Sequence, residues 1–141
     1  MDCLFCNINK ETSNEKTRII HQSRNALVLL SDPRLVPGHL LVIPKRHVEK
    51  ISELTSDEKK EIFDLLVEFQ EKLLKRFSGC DIRQNYRPFQ KDGNIKVSHL
   101  HFHLQPREFK DELYDKCQKY ETEMFKVLPE EEHTLILKWL Q

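Results

Sequence analysis

His99-Leu100-His101-Phe102-His103-Leu104 decides how this chain is read, because histidine takes every second position and an apolar residue every position between. Residues two apart in a β-strand share a face. A strand over residues 95–104 therefore lines one side with three imidazoles and turns Leu100, Phe102 and Leu104 toward a core. A single histidine on such a face would be an ordinary solvated or packed residue. Three together can divide labour: one attacks, a neighbour fixes its tautomer or balances charge, and another binds metal. Convergence of all three on one zinc ion is the alternative this spacing leaves open. Pro106 is expected to end the strand, since it has no N–H to give to a ladder.

Working upstream, Thr55-Ser56-Asp57-Glu58 is a capping box that opens a helix with the apolar stripe Ile62, Phe63, Leu65, Leu66, Phe69, Leu73 and Phe77, stopped at Ser78-Gly79. Before it, residues 19–21 and 25–30 read as two short strands, and the run Ala26-Leu27-Val28-Leu29-Leu30 is expected to be buried on both faces. Residues 31–38 form a loop, with the turn signal Pro37-Gly38. His39-Leu40-Leu41-Val42-Ile43 is the next strand, closed by Pro44. Residues 80–86 read as a further strand and 87–93 as a loop. Residues 108–125 and 131–140 read as two helices separated by Pro129, with Leu135, Ile136, Trp139 and Leu140 available to dock on the body. The class is α+β: an antiparallel sheet of about five strands with one long helix, plus C-terminal helices.

The chain has 141 residues, enough for one real core and not for two. Lys plus Arg and Asp plus Glu number 23 each, so the formal net charge is zero. No bulk basic field exists to collect nucleic acid or anionic membrane, and phosphate recognition must be local. Met1-Asp2-Cys3-Leu4-Phe5-Cys6 lacks the basic end and apolar run of a secretory signal, and no apolar stretch approaches the ~20 residues of a membrane span. The expected location is the cytoplasm, where thiols stay reduced. Cys3 and Cys6 then read as a metal pair or core packing, and the isolated Cys80 and Cys117 as ordinary residues.

His-Leu-His-Phe-His-Leu-Gln over residues 99–105 resembles the triad of the histidine-triad (HIT) superfamily. The segment Pro37-Gly38-His39-Leu40-Leu41-Val42-Ile43-Pro44-Lys45-Arg46-His47 is similar to that superfamily's second signature. The likeness spans roughly Cys3 to Arg107, so residues 1–107 are expected to form the HIT domain and 108–141 a C-terminal helical extension packed on it. The resemblance implies a hydrolase or nucleotidyl transferase for nucleoside phosphoramidates or dinucleoside polyphosphates. In that scheme His101 attacks the α-phosphorus and becomes covalently nucleotidylated, His103 contacts phosphate or assists the leaving group, and His39 holds His101 in orientation. Catalysis needs no metal. Water, phosphate or another acceptor could take the nucleotide, so a phosphorylase is a close alternative. A homodimer with joined sheets is also implied.

In bacterial-type relatives an N-terminal CxxC holds a structural zinc with two histidines. The matching set here is Cys3, Cys6, His47 and His99, leaving His39, His101 and His103 for catalysis and His21 and His133 as surface residues. Asp32, or Ser31 beside it, falls where the family binds ribose, and Phe5, Ile8, Leu29 and Leu41 are candidate walls of a base pocket. Where relatives carry Gly-Gln-Ser or Gly-Gln-Thr ahead of the triad, this chain has Asn94-Ile95-Lys96-Val97-Ser98. Lys96 adds a positive charge there, which suits a more highly charged polyphosphate. The long segment from Gln84 to Lys91, with Asn85, Arg87 and Gln90, is either a substituted phosphate clamp or a solvated loop. From a different class comes the reading of a zinc-stabilised nucleotide-binding adaptor with little catalysis, which the altered segment supports; nucleic acid is disfavoured by the neutral charge.

Overall fold

Two adjacent strands of nearly unbroken apolar sequence make the centre of this fold. In a computed structural model describing residues 3–8, 10, 16 and 18–141, β2 (Ala26–Leu30) and β3 (Leu40–Pro44) pair antiparallel, Leu27 against Ile43 and Leu29 against Leu41. Alternate residues point to opposite faces, and here both faces are covered. Ala26, Val28, Leu40 and Val42 enter one hydrophobic cluster, and Leu27, Leu29, Leu41 and Ile43 enter another.

The first cluster is closed by α2 (Ser56–Leu74), which presents Ile62, Leu65, Leu66 and Phe69 to it. Each such side chain contributes roughly 1.5–3 kcal/mol on burial. The helix starts as read: the Thr55 hydroxyl accepts from the Glu58 N–H at 3.2 Å, and the Glu58 carboxylate accepts from the Thr55 N–H at 2.8 Å. Phe63 departs from the expected stripe and is 66% exposed, because it lies about 100° around the helix from Ile62 and off the buried arc. The second cluster is closed by the N-terminal segment, where α1 (Leu4–Asn7) brings Phe5 down beside Cys3 and Ile8.

β1 (Ile19–Gln22) flanks β2, while β4 (Gly79–Gln84) and β5 (Phe102–Arg107) complete an antiparallel sheet of five strands among the described residues, in the order β1-β2-β3-β5-β4. The last strand corrects the sequence reading at both ends. It begins at Phe102 and not near residue 95, because β4 pairs only as far as Gln84 opposite Phe102 and β3 only as far as Val42 opposite the same residue. Upstream of Phe102 no strand pairs with it among the described residues; the Leu100 N–H bonds instead to the Val48 carbonyl at 2.7 Å. At the other end Pro106 stays within the strand opposite Cys80, beyond Leu104 where β3 stops pairing, so its missing donor costs β3 no bond.

Gly38 shows why the Pro-Gly turn needs glycine. Its φ is +78°, and a Cβ there would stand 3.0 Å from the Phe77 ring and 3.1 Å from Pro106. A compact unit closes at Phe109 and a second runs from Lys110. The second unit holds a π-helical turn (Tyr114–Gln118), α3 (Lys119–Glu121), a 3₁₀ turn (Thr122–Met124) and α4 (Glu130–Leu140). No described helix is long and apolar enough to cross a membrane.

Candidate active site

The register of the sheet lays out the site. Leu29 lies opposite Leu41, Leu41 opposite His103, and His103 opposite Arg83, so one row across one face runs from aliphatic through imidazole to guanidinium. His101 stands just ahead of β5 on the same rhythm, with its ring 5.4 Å from Phe5 and 4.9 Å from the ring of His103. The apolar residues between them turn away as expected: Leu100 and Leu104 are buried on the α2 side, with Phe102 packed against them.

Hydrogen bonds fix which nitrogen of each ring carries the proton. His101 Nδ1 is 2.7 Å from the His99 carbonyl, which can only accept, so Nδ1 holds the proton and Nε2 keeps its lone pair. Burial draws this imidazole below its ordinary range, and the unprotonated ring is the nucleophilic one. His39 sits on the other side of the same logic. Its Nδ1 accepts from the Leu35 N–H at 3.0 Å, so its own proton is on Nε2, 2.8 Å from His103 Nδ1. His103 accepts there and must carry its proton on Nε2. Burial, followed by the field of His101, lowers His39 to about 4 and His103 to about 3, so both are neutral at neutral pH. His39 therefore meets His103 and not His101, which differs from the positioning that the sequence reading gave it.

The first histidine of the run goes elsewhere. His99 is 1% exposed, and its Nε2 is 2.8 Å from the Pro44 carbonyl, which pins the proton there and aims the Nδ1 lone pair at two sulfurs. Cys3 Sγ lies 3.4 Å and Cys6 Sγ 3.5 Å from that nitrogen, and Cys6 Sγ lies 3.3 Å from His47 Nδ1. All four donor atoms fall within 4.8 Å of one another. Ligands about 2.0–2.3 Å from a tetrahedral zinc stand roughly 3.3–3.8 Å apart; the three sulfur–nitrogen separations above fall in that range, and the four donors could hold a metal ion. Desolvation and then the adjacent Cys3 push the Cys6 thiol up to about 11, and a bound cation would relieve that cost of thiolate formation. The three histidines of the run do not converge on one ion.

A cavity of about 420 Å³ opens over the rings of His39, His101 and His103. These three histidines line it, and so do Ser31, Asp32, Asn85 and Lys96. Phe5 and Leu41 form part of its wall, whereas Ile8 and Leu29 are fully buried in the core and do not reach it. Lys96 is anchored to its own loop, donating to the Gln90 carbonyl at 2.7 Å and the Ser98 hydroxyl at 2.8 Å, with Asp92 3.2 Å away. Sequence reasoning missed Arg18, Arg34 and Arg83, which also line the cavity. No local motif marks them; Arg83 could be found only once β4 was known to pair with β5.

The HIT domain family model matches residues 11–110. An adenosine 5'-monophosphoramidase of Schizosaccharomyces pombe is 31% identical over 110 residues, covering 76% of this chain and 75% of its own. A bis(5'-adenosyl)-triphosphatase of Dictyostelium discoideum is 26% identical over 109 residues, covering 74% and 72%. Among solved structures, a HIT family protein of Bacillus subtilis superposes with a TM-score of 0.65 at 23% identity, covering 92% of this chain and 99% of that one.

Proposed function

This chain belongs to the HIT domain family, and from that membership we propose that it is a nucleotide hydrolase in which His101 Nε2 attacks the α-phosphorus of a nucleoside phosphate derivative. The observation that carries the reading is the bond from His101 Nδ1 to the His99 carbonyl, which leaves an unprotonated nitrogen on a ring that lines the cavity. His103, its proton assigned to Nε2 by His39, donates to a phosphate oxygen as negative charge builds there. His39 is a positioning residue acting through His103. Asp32 and Ser31 face the ribose, Phe5 and Leu41 the base, and Asn85 and Lys96 the phosphates. The named activities of the relatives, phosphoramidase and dinucleoside triphosphatase, bracket the substrate class.

Zinc held by Cys3, Cys6, His47 and His99 would tie the N-terminal segment, and with it Phe5, to the residues that precede β5. Its contribution is structural. β4 lies at an edge of the sheet, which supports a homodimer formed by continued strand pairing, testable by sedimentation. The location read from the chain is the cytoplasm. The test of function is release of mononucleotide from adenosine and guanosine phosphoramidates and dinucleoside polyphosphates. Turnover supports the hydrolase; nucleotide affinity with no product would favour the adaptor reading, and dependence on added phosphate the phosphorylase.

A further inference from the structure

The cavity is polarised across the sheet. On the β3 side of the histidines lie Leu41 and, above it, Phe5. On the β4 side lie Arg83, directly opposite His103, and Arg87 in the loop that follows β4. Arg18 and Arg34 add further guanidinium groups to the lining, and Asp32 is the one acidic side chain among the described lining residues. Lys96 shares its charge with Asp92, but Arg34, Arg83 and Arg87 make no ion pair among the described residues. Three uncompensated guanidinium groups are more than a single α-phosphate needs, and two of them stand on the side away from the apolar wall.

We infer that the β4 side of the cavity, built on Arg83 and Arg87, binds an anionic leaving group, so that the preferred substrate is a nucleoside joined through a phosphoanhydride to at least one further phosphate. This rests on the hydrolase reading above and narrows its substrate class. The step balances without an acid. The His101 Nε2 lone pair forms the bond to the α-phosphorus, the bond from phosphorus to the bridging oxygen breaks, and its electrons stay on the departing phosphate, whose charge the two guanidinium groups offset. Water then bonds to phosphorus, the phosphorus–nitrogen bond returns its electrons to His101, and the proton of water passes to solvent. An amine leaving group would need a proton as it departs. His39 and His103 are held neutral by burial, so neither is an imidazolium ready to supply one.

The test compares kcat/KM for diadenosine triphosphate and for adenosine 5'-monophosphoramidate in the wild type, Arg83→Gln, Arg87→Gln and the double variant, with ADP and AMP affinities measured in parallel. The wild type should favour the anhydride, and each substitution should reduce the anhydride-to-phosphoramidate ratio about 10-fold. ADP should bind more tightly than AMP, and the double variant should lose that preference, an outcome that supports the site whatever the turnover. A ratio unmoved by both substitutions, or equal ADP and AMP affinity in the wild type, would overturn it. Failure of the wild type to turn over any nucleotide would instead remove the hydrolase reading and is distinguished by the binding arm. Circular dichroism checks folding; both arginines are exposed, and the Arg83 Nε–H donates to Asn85 Oδ1 at 3.2 Å.

Discussion

His99 and His101 stand two residues apart in one run, each with one ring nitrogen against a main-chain carbonyl, and they offer opposite nitrogens to their surroundings. In His99 the Pro44 carbonyl takes Nε2 and leaves Nδ1 facing Cys3 and Cys6. In His101 the His99 carbonyl takes Nδ1 and leaves Nε2 free. The difference shows that residue type alone does not set what each ring offers: the position of a carbonyl sets the tautomer, and the tautomer suits one imidazole to the proposed role of ligand and its neighbour to the proposed role of nucleophile.

The sharpest way to separate the two halves is His101→Ala. Turnover should fall on the order of 10³-fold or more, while bound metal and melting temperature stay as in the wild type. Metal content by atomic emission, run beside the kinetics, checks both. Next in size is the reverse experiment, Cys3→Ala with Cys6→Ala or removal of metal by a strong chelator. Binding energy of a structural ion is folding energy, so a loss of about 3 kcal/mol, roughly 5–12 °C in melting temperature, is expected, while kcat per folded molecule changes less than about 10-fold. A kcat that collapses with no thermal change would merge the halves that the geometry separates.

His39→Ala should cost less than the nucleophile, about 10- to 100-fold in kcat, because it removes the donor that fixes the tautomer of His103 and leaves the lone pair of His101 in place. Nitrogen-detected NMR should show His103 losing its single tautomer; an unchanged His103 would break the proposed relay. The smallest effect concerns the stability of the fold alone and calibrates the others. The hydrogen-bonded Arg46 guanidinium lowers Glu58 to about 2 from an ordinary 4.5. A lowered carboxyl pKa stabilises the fold above the unfolded value and loses that stabilisation as pH falls from 4.5 toward 2. Arg46 is half-exposed, which limits the contribution to about 1–2 kcal/mol. Denaturant unfolding at pH 7 and pH 3 should show Glu58→Gln with a smaller loss on acidification than the wild type.

The features legible in the sequence are those with local causes. Alternation in residues 99–104 sorted imidazoles from core residues, Thr55 and Glu58 announced α2, and the double-sided burial of β2 followed from its unbroken apolar run. Features that depend on a distant partner were not legible. The strand begins at Phe102 because neither neighbour pairs with it farther upstream, Pro106 is tolerated because the strand's pairing with β3 has already ended, and Arg83 reaches the cavity because of register. The pairing of His39 with His103 depends in the same way on β3 and β5 lying side by side, and the orientation of His39 on the Leu35 amide in the preceding loop.

The most direct measurement is the intact and peptide-level mass of the protein, quenched within its first turnovers of diadenosine triphosphate or a phosphoramidate. A nucleotidyl adduct is expected on the peptide containing His101, absent in His101→Ala and present in His103→Asn. Steady product release with no adduct on His101, or an adduct on another histidine, would contradict it.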